Sequence, residues 1–153
     1  MKYFISEELS NKGEAVAEEF HSDKLKYARF KFVFVDKIKD WAKITKINPM
    51  YQALGIDGDF IIIVNKVIYD DLTPKQKTAL LDHELCHAIV KVTEDDEGNE
   101  KIKFSIEEHD FEEFNCILER HGLWTDTSKV LAKTCRMIRR NKLNKENKDE
   151  SDN

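Results

Sequence analysis

Two histidines four residues apart, inside a long apolar segment, constrain this chain more than any other feature. They lie in the stretch Leu81-Asp82-His83-Glu84-Leu85-Cys86-His87-Ala88. On a helix, positions four apart are rotated by only about 40° from each other, so both imidazoles leave one face a turn apart and can grip one ion. This is the H-E-x-x-H pattern of zinc sites, in which Glu84, directly after the first histidine, serves as an oxygen base for a water rather than as a ligand. The competing reading is a surface turn with two solvated histidines. Ala79, Leu80, Leu81, Leu85, Ala88 and Ile89 surround the pair with apolar groups. Two imidazoles packed into such a core need partners, and a shared metal is an economical one.

The start of that helix is well marked. Thr73-Pro74-Lys75-Gln76 supplies a capping threonine, a proline at the first helical position and a glutamine three residues after the cap, which predicts a helix from about Pro74 to about Val92. Upstream, Ser6 caps a helix with Leu9, Val16 and Phe20 on its apolar side, weakened by Gly13. From Ala28 the period becomes two. Phe30, Phe32 and Phe34 share one face of a half-buried strand, and Trp41–Ile47 predicts a second. After Asn48-Pro49 and a helical turn at Met50–Leu54, the β-branched run Phe60–Val64 predicts an inner strand. A short helix over Asn65–Asp71 then leads to Thr73. Beyond the metal helix come an acidic stretch, Thr93–Glu100, with Gly98 as its turn residue, and a short strand, Lys101–Phe104. A second capping box, Ser105-Ile106-Glu107-Glu108, is expected to open a helix that reaches Arg120 and stops at Gly122. Thr127–Arg140 predicts a further amphipathic helix.

A catalytic zinc site takes three protein ligands and leaves the fourth position to water. The candidates for the third are His109, Asp110 and Glu113. Imidazole suits zinc and leaves the site more positive than a carboxylate would, so His109 is preferred. Glu113 shares its face and can serve instead as an acceptor for a ligand histidine. Cys86 lies about 60° from His83 on the side away from His87, and burial against the sheet is expected of it rather than ligation. His21 is expected on the surface, and His121 is expected to cap a helix C-terminus.

Composition bounds the rest. With 153 residues, 41% of them hydrophobic, the chain suits a single domain with one core. No apolar run approaches the roughly 18 residues of a membrane span, and no secretory signal core is visible at the start, so a soluble intracellular protein is expected. Cys86, Cys116 and Cys135 form no C-x-x-C pair and are expected to be free thiols. The net charge of -5 is unevenly spread: residues 24–46 hold eight basic and two acidic side chains, and residues 94–113 hold ten acidic and two basic. A basic face of this kind can meet nucleic acid, although Phe30, Phe32 and Phe34 on one side fit core packing better than base stacking.

The runs Leu80–Ala88, His109–Phe114 and Arg120–Trp124 resemble the phage metallopeptidase family and, more distantly, SprT-like zinc proteases such as Spartan. The first resemblance extends from about Phe30 to Trp124. It implies an α+β, zincin-like fold over residues 1–140, with a small twisted sheet packed on the H-E-x-x-H helix and further helices at either end. A disordered polar tail over residues 141–153 is expected to follow. By the SprT-like match, His83, His87 and His109 correspond to the ligands of one Zn²⁺ and Glu84 to the catalytic glutamate. The interval after His87 is longer here than in that group. The implied activity is peptide hydrolysis on a protein or peptide substrate, without a membrane partner, in the cytoplasm of the host if the chain is phage-encoded. The alternative is a non-catalytic binding module on the same scaffold that engages a host protein or nucleic acid.

Overall fold

A computed structural model describes residues 1–108, 115–122 and 124–125. Its elements follow from local chemistry. Ser6 accepts a hydrogen bond from the Leu9 N–H and opens helix α1, Glu7–Phe20, with Glu7 and Glu8 in the favoured first turn. A short helix α2, Ser22–Leu25, turns the chain into strand β2, Phe30–Val35, which pairs antiparallel with a two-residue strand β1, Tyr3–Phe4. Strand β3, Ala42–Lys46, and helix α3, Pro49–Ala53, lead to strand β4, Phe60–Asn65. The sheet order is β1-β2-β4-β3, with β2 and β4 parallel and β3 antiparallel to β4. The β-branched run at residues 60–64 therefore lies inside the sheet, as its composition predicts.

Register decides which face is buried. Phe30, Phe32 and Phe34 lie opposite Phe60, Ile62 and Val64, and all six are buried in a core shared with Leu9, Val16 and Ala17 of α1. Val33, Ile61 and Ile63 on the other face are only half-buried. At Gly13, α1 lies directly against the sheet: a Cβ there would collide with the Phe32 ring. The glycine that weakens the helix is what allows it to lie on β2.

Helix α4, Lys66–Asp71, is capped by Asn65, whose side chain accepts from Val67 and Ile68. Helix α5, Pro74–Cys86, opens with the full capping box between Thr73 and Gln76. Ala79, Leu80, Leu81 and Leu85 on it are buried.

Two expectations fail beyond this point. The helix does not continue to Val92: it ends at Cys86, and Ala88–Glu94 forms strand β5, paired antiparallel with strand β6, Glu100–Ile106. Ile89, Val90, Val92 and Thr93 are β-branched and lose less side-chain freedom in a strand, and the reverse turn at Asp95–Asn99 brings a partner strand alongside. Gly98 holds φ +82° in that turn, while the Asp95 side chain accepts from the Glu97 and Asn99 N–H groups. The second correction follows from the first. Ser105 and Ile106 belong to β6, so Ser105 does not open a helix. The final described helix, α6, is Asn115–His121, and it closes at Gly122, whose φ is +64°. The helix expected over 127–140 and the tail lie outside the described residues.

Candidate metal centre

Helix α5 is held at both ends. At its C-terminus the Lys24 ammonium donates to the Leu85 carbonyl at 2.8 Å, satisfying an end-of-helix acceptor with a cation. His87 follows as the C-cap and keeps right-handed helical backbone, φ −67° and ψ −25°. The four-residue spacing thus survives although the helix stops one residue before the second histidine.

The His83 and His87 rings stand 5.2 Å apart between centroids. Ligand atoms of His83, Glu84 and His87 all lie within 4.8 Å of one another. Tetrahedral donors at 2.0–2.1 Å from one ion sit about 3.4 Å apart, so the two imidazoles need only small side-chain adjustments to share an ion, with the Glu84 carboxylate beside them. His83 and Glu84 are buried and His87 is half-buried. Trp124 packs towards the site, 6.3 Å from His83 and 5.9 Å from Trp41 between ring centroids.

One orienting contact involves a residue that the motif does not mark. His87 Nδ1 lies 2.5 Å from the Glu107 carbonyl oxygen, and the Glu107 N–H donates back to the His87 carbonyl at 2.7 Å. A carbonyl oxygen only accepts, so Nδ1 carries the hydrogen and Nε2 is the nitrogen with a lone pair to offer a metal. The base of the β5–β6 hairpin, where Ala88 pairs with Ile106, therefore fixes the tautomer and orientation of His87. Sequence reasoning missed this because the atoms involved belong to the backbone.

Asp82, immediately before His83, is the second missed feature. It is fully buried, at 0% exposure. Its Oδ1 lies 2.6 Å from His21 Nε2 and its Oδ2 lies 2.7 Å from His121 Nε2. Arg120 Nη1 donates to both oxygens, at 2.7 and 2.9 Å. Burial alone would raise this carboxyl, but hydrogen bonds from His21, His121 and Arg120 outweigh it and hold Asp82 below the ordinary carboxylate value. His21 is therefore not on the surface: it is 4% exposed and links α1 to α5. His121, in the last turn of α6, likewise pairs with Asp82. A carboxylate directly after the apolar run Ala79-Leu80-Leu81, with an Arg-His pair further along, was the available signal for this cluster.

Cys86 is buried, as expected, but against Ile117 and Cys116 of α6 rather than the sheet. Burial pushes its thiol well above the usual range. The third-ligand candidates His109, Asp110 and Glu113 lie outside the described residues, as does Cys135.

The fold and this geometry define an α+β protein with a candidate metal site on its fifth helix. The chain belongs to a family described as putative phage metallopeptidase, whose family model matches residues 1–138. No curated protein and no solved structure gives a significant match. No helix among the described residues is long and apolar enough to cross a membrane.

Proposed function

We propose that this chain is a zinc-dependent peptidase of zincin-like architecture, with His83 and His87 as ligands and His109 as the third, Asp110 and Glu113 being the other candidates. The observation that carries the reading is the convergence of the His83, Glu84 and His87 donor atoms within 4.8 Å, together with membership of the metallopeptidase family. A single Zn²⁺ held there would supply Lewis acidity, polarising a peptide carbonyl and acidifying a water. The chain's own residues do the rest. The Glu107 carbonyl accepts from His87 Nδ1, so that Nε2 would be the nitrogen that holds the ion. The buried Glu84 carboxylate takes a proton from the attacking water and passes it to the leaving amine. Asp82, anchored from three sides, keeps α5 in place beneath these groups.

The test is Glu84→Gln, which keeps size and hydrogen bonding but removes the base. The variant is expected to retain its metal while peptide hydrolysis falls at least about a hundredfold. Unchanged hydrolysis would reject Glu84 as the base; a wild-type chain that hydrolyses no peptide, with biological activity intact in Glu84→Gln, would favour the non-catalytic binding role.

A further inference from the structure

Among the described residues, His21, Asp82, Cys86 and Cys116 form a second group of reactive side chains outside the metal site. A second metal there is disfavoured, because both Asp82 oxygens already accept from Arg120 and from an imidazole and the guanidinium would oppose a dication. The two sulfurs are different. Cys86 Sγ and Cys116 Sγ, both free thiols, lie 3.2 Å apart, about 1.2 Å more than a disulfide bond.

We propose that Cys86 and Cys116 form a reversible disulfide that closes on reaction with a low-molecular-weight disulfide of the glutathione class. Exposure sets the order, since Cys116 is half-buried and Cys86 is only 7% exposed. The Cys116 thiolate attacks one sulfur of the oxidant, forming a mixed disulfide and releasing one glutathione thiolate. Cys86 then attacks the Cys116 sulfur and releases the second. The two protons lost by the protein thiols go to the two glutathione thiolates, and the protein is oxidised by two electrons. The bond would join the last residue of α5 to α6, which carries Arg120 and His121 onto Asp82. The closed loop spans residues 87–115 and so contains His87, Glu107 and the segment 109–113.

The test uses the full chain with Cys135→Ser, so that two thiols remain, treated with glutathione disulfide. The expected product has lost two hydrogens, carries no glutathione, yields a peptide joining Cys86 to Cys116, and melts several degrees higher until dithiothreitol reverses the change. With Cys86→Ser added, glutathione is expected to remain on Cys116. Should that variant fail to fold, the crosslinked peptide from the two-thiol chain decides alone. A stable glutathione adduct in the two-thiol chain, crosslinks only between chains, or unreacted thiols would overturn the proposal.

Discussion

Asp82 shows how one side chain can organise a site without touching a substrate. Its carboxylate draws together the end of α1 through His21 and the end of α6 through Arg120 and His121. Removing it strands a guanidinium and two imidazoles around a buried void. Asp82→Ala should therefore cost about 3–5 kcal/mol, read by denaturant unfolding of the metal-free protein. The pH dependence follows from the direction of its shift. A carboxyl held below its ordinary value in the folded state stabilises above that value and loses its contribution as pH falls through the folded one, so Asp82→Asn should flatten the acid limb of the stability curve. Gly13 supplies a steric test. Alanine would gain about 1 kcal/mol in helix propensity, but its methyl would press on the Phe32 ring, and overpacking of this kind costs about 1–3 kcal/mol. Net destabilisation is expected on thermal melting.

At the scale of elements, the start of α5 and the base of the hairpin do different work. Thr73→Ala removes one half of the capping box and should lower stability by about 1 kcal/mol without changing metal affinity, which separates helix stability from site geometry. Glu107 acts through its backbone, so Glu107→Ala should leave metal affinity unchanged. Glu107→Pro loses the N–H that donates to His87 and should weaken metal binding by about ten- to a hundredfold in a chelator competition. These elements also show what could be read in advance. Ser6 and the Thr73 box marked helix starts because capping is local chemistry, and the alternation from Phe30 to Phe34 marked a strand because one face is buried. The end of α5 was not legible. Ala88–Val92 continues an apolar pattern compatible with either structure, and only the partner strand across the Asp95–Asn99 turn settles it. His21, 61 residues from Asp82 along the chain, could not be placed by spacing, because what recruits it is a buried charge on another helix.

For the whole molecule, the sheet, α1 and α6 converge on one helix, and the candidate metal centre occupies its C-terminal end. The parallel β2–β4 pair and α1 form the floor on which α5 packs, the hairpin orients His87, and α6 locks Asp82. Two imidazoles and a buried carboxylate placed together by this many independent contacts make sense as a preorganised ion site. Metal binding should therefore also raise the melting temperature, and a chelator should lower it to that of the metal-free protein. The most direct measurement is the metal content of the purified chain under non-chelating conditions, beside that of His83→Ala. One zinc per chain in the first and little or none in the second is the predicted result; a wild-type chain without stoichiometric zinc, or a variant that keeps it, would contradict the assignment.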